Sequence, residues 1–205
     1  RCFIRLWSNA SLTQRSIGTR TMYNSTTGEY LFIQDNINGN WYWGMGSSYE
    51  QPLDSAKRLT LQQRADIEYT HSVDFPVIYY HALEPFSEDE KSTVNNWTLH
   101  EHLGLEYQKD KLTIGISGDV NWRRSVSNRD NFENISAFDY NYDALLRYTI
   151  PWVEVNLATD IRMYSRRGYQ SEIMNTDDLV WNAEMARSFF NEKLTVKFTA
   201  FDLLH

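Results

Sequence analysis

His100 and His102 stand two residues apart, and on an extended chain residues i and i+2 share a face. Two imidazoles on one face, with Glu106 nearby, are the beginning of a divalent-metal site. Such a site needs further ligands, and the chain holds a single cysteine, Cys2, so no thiolate cluster supplies them. Two polar residues on a wetted wall are the preferred reading. The acidic run Glu84, Glu88, Asp89 and Glu90 would attract Ca2+, but it lacks the alternating Asp/Asn/Gly spacing of an EF-hand and reads as a solvated loop. Arg166 and Arg167, with Tyr164 and Tyr169 beside them, offer charge-assisted hydrogen bonds to an anion; anchoring of a strand end is the simpler role. Asp177 and Asp178 look like a catalytic pair, yet neighbours on an extended chain point to opposite faces. The chain contains no G-x-S-x-G, H-E-x-x-H or P-loop signature. Neither enzyme chemistry nor a cofactor is expected.

The elements that would carry these residues follow from composition and periodicity. The chain has 205 residues, 27 acidic and 20 basic, for a net charge of -7. That balance argues against general affinity for nucleic-acid phosphates, which requires clustered Lys and Arg. Mean hydropathy is -0.57, and no apolar run approaches the ~18 residues of a membrane helix. Aromatic residues make up 15%, too many for a disordered or coiled-coil chain, and aromatic and β-branched residues favour strands.

Helical periodicity is hard to find, and alternation is everywhere. Leu112, Ile114, Ile116, Gly118, Val120 and Trp122 oppose Thr113, Gly115, Ser117, Asp119, Asn121 and Arg123. The same two-faced pattern recurs over Trp41–Tyr49, Leu59–Tyr69, Trp97–Tyr107, Phe138–Ile150, Val153–Met163, Trp181–Met185 and Leu194–Phe198, with a less regular segment at Cys2–Tyr23. About nine strands result, and the fold is predicted to be all-β without a visible domain boundary.

Two features set the pattern apart from an ordinary sandwich. Several alternations persist for about 12–14 residues, beyond the usual ~5–6 of globular strands and enough for the ~9–11 of a membrane strand. Trp97 and Tyr107 share the apolar parity; at ~3.3 Å per residue and a ~40° tilt they are ~25 Å apart along a barrel axis, the height of an outer-membrane apolar band. Connections also alternate in length. Asp54–Lys57, Gln108–Asp110, Pro151–Trp152 and Asn191–Lys193 are short, whereas Asn24–Ile37, Phe75–Asn95, Val126–Ser136 and Gly168–Asp178 are long. All short turns then fall at one end, as in barrels with short periplasmic turns and long extracellular loops.

On this reading the apolar parity faces lipid, with Trp41, Trp43, Trp97, Trp122, Trp152 and Trp181 as interfacial girdles. The polar parity faces a wet lumen: Arg64, Asp66, Glu68, His100, His102, Glu106, Asp119, Arg123, Asp139, Asp143, Arg147, Glu154, Asp160, Arg162 and Glu184. If short turns are periplasmic, the last strand runs outward, so a closing strand is expected beyond this antiparallel transmembrane β-barrel segment.

The stretches PLDSAKRLTL, FDYNYDALLRYTIPW, TDIRMYSRRGY, MNTDDLVWNAEMARSFF and LTVKFTAFDLLH resemble late barrel strands of TonB-dependent-receptor-like outer-membrane proteins of Bacteroidota. The likeness covers most of residues 53–205. It implies that the chain is part of a 22-stranded plugged barrel in the bacterial outer membrane, with signal peptide and plug elsewhere, and with energy supplied by TonB. Implied partners are lipid and lipopolysaccharide, TonB, and a surface lipoprotein or other outer-membrane subunit. The N-x-S/T sequons at Asn9, Asn24, Asn96 and Asn134 are then incidental. The expected function is uptake of a ligand whose identity is not encoded in these patterns. The alternatives are a barrel serving as a structural subunit of an outer-membrane assembly, or a water-soluble carbohydrate-binding barrel or sandwich.

Overall fold

Long alternation has a low-energy outcome in a pleated strand with two unlike faces, and such strands must pair side by side to satisfy their backbone groups. A computed structural model of the chain describes residues 2–80, 91–129, 132–191 and 193–204. Among these residues twelve strands form: β1 (Phe3–Thr13), β2 (Ser16–Asn24), β3 (Tyr30–Ile37), β4 (Asn40–Pro52), β5 (Leu59–Asp74), β6 (Ile78–Tyr80), β7 (Ser92–Lys109), β8 (Leu112–Ser127), β9 (Ile135–Ile150), β10 (Val155–Arg167), β11 (Asp177–Phe189) and β12 (Leu194–Ala200). The fold is all-β; one 3-10 turn, Glu172–Met174, interrupts the strands, and no described helix is long and apolar enough to cross a membrane.

Nine strands make one antiparallel sheet in the order β1-β4-β5-β7-β8-β9-β10-β11-β12. It is open, with β1 and β12 as its edges. Strands β5, β7, β8 and β9 run for 16 to 18 residues. The register keeps both faces in phase throughout. Leu61, Leu105, Ile116, Ala144, Ile161 and Trp181 form one cross-strand row, and Arg64, His102, Asp119 and Asn141 form another on the opposite face.

The two ends differ as the connection lengths predict. At one end sit the tight turns at residues 53–58, 110–111 and 151–154 and the short connection from β11 to β12. In the first, the Asp54 carboxylate accepts the backbone N–H groups of Arg58 and Leu59 at 2.6 and 2.9 Å. These bonds, that of Leu59 foremost, hold the Asp54 carboxyl below the usual carboxylate range. Asp110, Glu154 and Asn191 supply left-handed backbone in the other three. Pro151–Trp152 is thus extended by two residues: Glu154 closes the turn with its N–H on the Ile150 carbonyl and does not stand on the polar wall.

The long-loop end carries the main departure from the sequence reading. The stretch expected as a loop at Asn24–Ile37 is the second arm of a hairpin, because Tyr30–Ile33 is an apolar run following a turn at Gly28 (φ 76°). Asn24 caps that turn through its side-chain oxygen, which accepts from Thr26 and Thr27. Strand β6 joins β2 in parallel, giving a three-stranded cap in the order β3-β2-β6. Here lies the small hydrophobic core: Met22, Ile37 and Phe75 are buried. The Phe75 ring lies so close to Gly18 that a Cβ there would crowd it at 3.0 Å, and the Arg20 guanidinium stacks 4.1 Å from the ring centre.

Candidate functional site: the polar wall of the large sheet

Most charged residues of β5 and β7 to β11 are brought onto one face by pleat and register alone. Arg64, Asp66, Glu68, His100, His102, Asp119, Arg123, Asp143, Arg147, Asp160, Arg162 and Glu184 all share it. The side chains of Asp66 and Asp119 are 18% and 22% exposed, whereas Leu103 and Ile116 on the opposite face are 52% and 56% exposed. Along β8 and β9 the charged face is the more crowded and the apolar face the more open, whereas in β5 Arg64 and Glu68 are exposed and Leu61 and Ile67 are half-buried.

At the centre of the wall the imidazoles lie between carboxylates. His100 Nδ1 is 3.6 Å from Asp66 Oδ2, and its Nε2 is 3.5 Å from Asp119 Oδ1. His102 Nδ1 bonds Asp119 Oδ1 at 2.8 Å, Arg64 Nε donates to Asp66 at 2.8 Å, and Asn141 donates to the other Asp119 oxygen. His100 and His102 therefore meet carboxylates across the strands, and among the described residues no group of three or more His, Cys, Asp or Glu is arranged to hold a metal ion.

Toward the long loops, Asp139 gathers Arg123 at 2.6 Å, the Tyr169 hydroxyl at 2.8 Å and Arg166 at 3.9 Å. Burial, reinforced by the Asp139 carboxylate, pushes the Tyr169 hydroxyl above its ordinary range. Arg167 points away and pairs with Asp177 at 2.6 Å, which also accepts from Ser165, while Asp178 bonds Thr176. The arginine pair and the aspartate pair are each split between different partners. The acidic run Glu84, Glu88, Asp89 and Glu90 lies outside the described residues.

The flank of the wall continues the pattern. Ser117 donates to Asp143, Asn182 to Asp160, and Lys197 pairs with Glu184 at 2.7 Å. Glu68 faces the Tyr42 hydroxyl. Arg162 donates to the Tyr164 hydroxyl, but its Nε is buried with no partner. Arg147 has no side-chain partner among the described residues and stands exposed between Thr113 and Ala158.

Several participants escape a search for charged candidates. Tyr42, Ser117, Asn141 and Asn182 are neutral; their shared parity with the acids is the one signal that marks them. Trp7 is the larger omission. It stands on the polar face with Arg5 and Arg64 over its ring at 5.9 and 5.4 Å, seated on Gly46, where a Cβ would collide with the indole. The other tryptophans divide differently: Trp41, Trp43, Trp97, Trp122 and Trp181 fall on the apolar face, and Trp152 is in a turn. Trp41, Tyr69 and Trp97 form a row of touching rings, each step 4.7 Å.

Searches of protein-family models, curated proteins and solved structures find no significant match to the chain.

Proposed function

We propose that this chain is part of an outer-membrane barrel of the TonB-dependent-receptor-like kind, whose polar wall lines the path of a ligand taken up across the outer membrane. The observation that carries the reading is the inversion of faces. In the nine-stranded sheet the apolar face of β8 and β9 is left uncovered while Asp66 and Asp119 on the opposite face are closely packed, which suits lipid outside and a hydrated lumen inside. The gathering of tight turns at one end supports the same orientation, with the cap and long loops outward.

The wall suits a passage for a hydrated solute. Its acids are largely met by neighbouring donors, so a ligand meets a ladder of exchangeable hydrogen bonds. Arg147 is an exposed donor without a side-chain partner among the described residues, the point at which an anionic or hydroxyl-bearing ligand would pause. TonB would supply the work of release, and the aromatic row Trp41–Tyr69–Trp97 would rest against outer-membrane lipid and lipopolysaccharide. A surface lipoprotein or another outer-membrane subunit would complete the machine at the cap.

Fractionation of cells making the full-length protein tests this. The expected product sediments with the outer membrane, dissolves only in detergent, and migrates faster on gels when unheated. A natively water-soluble product overturns the proposal.

A further inference from the structure

One pair breaks the pattern of the apolar face. Glu101 of β7 stands there with Leu99, Leu103 and Leu105, four residues beyond Trp97 and six before Tyr107, near the middle of the apolar band. Gln63 of β5 lies diagonally across from it, and its Nε2 donates to Glu101 Oε1 at 2.7 Å. That bond uses one amide hydrogen and one carboxylate oxygen. The second N–H and the carbonyl oxygen of Gln63, and the second oxygen of Glu101, have no side-chain partner among the described residues. Hydrocarbon would leave them unsatisfied, at the full cost of desolvation. The pair lies on two adjoining strands within the sheet, so closing the sheet into a barrel would leave it on the outer surface.

We propose that the Gln63–Glu101 patch is the contact between two copies of this chain in the outer membrane, related by a two-fold axis passing between β5 and β7. The inference rests on the membrane-barrel reading given above. A two-fold contact requires a surface that complements itself, and this patch presents a spare donor and a spare acceptor side by side. The axis sets β5 of one copy against β7 of the other, so that Gln63 of each donates to Glu101 of its mate. The row through Glu101 continues into Ala65 and Ser47 on one side and into Val120 and Tyr140 on the other. The axis thus sets the small residues of each copy against the larger ones of its mate, and small residues let backbones near one another in a bilayer. Beside the pair, a hollow of about 540 Å3 lined by Leu103, Ile116, Gly118, Tyr142, Ala144 and Ile161 exists where Gly118 and Ala144 lack bulk. It gives the second copy's side chains a place to pack.

The test is made in the full-length protein in its own outer membrane, with Cys2→Ser to remove the exposed native thiol. Ala65→Cys is oxidised with copper phenanthroline, and Ala183→Cys, five strands further along the same face and clear of the hollow, is the control. A disulfide-linked dimer from Ala65→Cys above the control is expected. Adding Gln63→Leu and Glu101→Leu should lower dimer yield by about 10-fold, two lost hydrogen bonds in lipid, while the heat-modifiable band persists, since leucine suits the surrounding face. No dimer above the control, a cross-link to a different protein, or an undiminished dimer in the leucine variant overturns the proposal. Loss of membrane association before any oxidation removes the barrel reading itself, and fractionation reports that separately.

Discussion

Phe75 and Ile116 are both large apolar side chains set among strands, yet Phe75 is 6% exposed and Ile116 56%. Phe75 belongs to the cap, where two short strands and a parallel third close over Met22, Ile37 and the ring itself. Ile116 belongs to a nine-stranded sheet in which Ala137 is the one buried hydrophobic residue among those described. The cap is stabilised as a water-soluble domain is, by apolar surface removed from solvent. The large sheet is held by backbone ladders and by a polar wall whose individual ion pairs, at this exposure, contribute at most about 1 kcal/mol each. Its apolar face must find its partner outside the sheet. Two regions of one short chain thus follow opposite rules for where greasy residues go, with the cap drawn from β2 and β3, between β1 and β4, and from the stretch just past β5.

The largest effect that tests this contrast is Phe75→Ala. Truncating a buried aromatic costs about 3–5 kcal/mol, and here it also strips the support of the Arg20 guanidinium. Hydrogen exchange should accelerate across β2 and β3 while the centres of β7 and β8 stay protected. Loss of protection in both regions together would show that cap and sheet form one cooperative unit and that the contrast is false.

Next in size is a pair of substitutions on adjacent residues of β8. Ile116→Lys places a cation on the uncovered face, which at mid-bilayer costs about 2–4 kcal/mol. Ser117→Lys places it on the wall beside Asp143, where loss of the serine hydrogen bond costs about 1 kcal/mol. Denaturant unfolding in lipid vesicles should rank the first well below the second. Equal losses, or the reverse order, would mean that the apolar face packs inward and that the sheet belongs in water.

How much of this was legible in the sequence depends on the range of the interactions. Alternation is local, so the strands, their long spans and the parity of Arg64, His100 and Asp119 can be read from the sequence. Turn position is local too, carried by Asp54, Asp110 and Asn191. The cap was not legible. Tyr30–Ile37 alternates poorly and reads as a loop although it pairs with β2 in a hairpin, and the cap is completed by β2 pairing in parallel with β6, which joins Met22 to Ile78 across more than fifty residues. Register is equally non-local: that His100 meets Asp66 on one side and faces Asp119 on the other depends on how β5, β7 and β8 slide against one another. Gln63 and Glu101 interrupt an apolar parity, and that they bond each other is a product of that same register.

The smallest effect belongs to Asp54, at the turn end, and it sharpens the contrast from the side where neither core nor lipid acts. Its carboxylate holds the β4–β5 turn by accepting two backbone N–H groups, and those bonds favour the charged form, so the folded-state pKa is depressed. A depressed carboxyl contributes stability above its unfolded value, about 3.9, and loses it as pH falls through the lower folded value. Exchange protection of the Arg58 and Leu59 amides should therefore be flat from neutral pH down to about 4 and decline below that. Asp54→Asn keeps an acceptor oxygen and removes the titration, so its profile should be flat over the acidic range at a slightly lower level. The cap should be indifferent to this substitution. A change in β2 or β3 protection on protonating Asp54 would mean that the turn end and the cap communicate through the length of the sheet, which a stack of independent ladders does not allow.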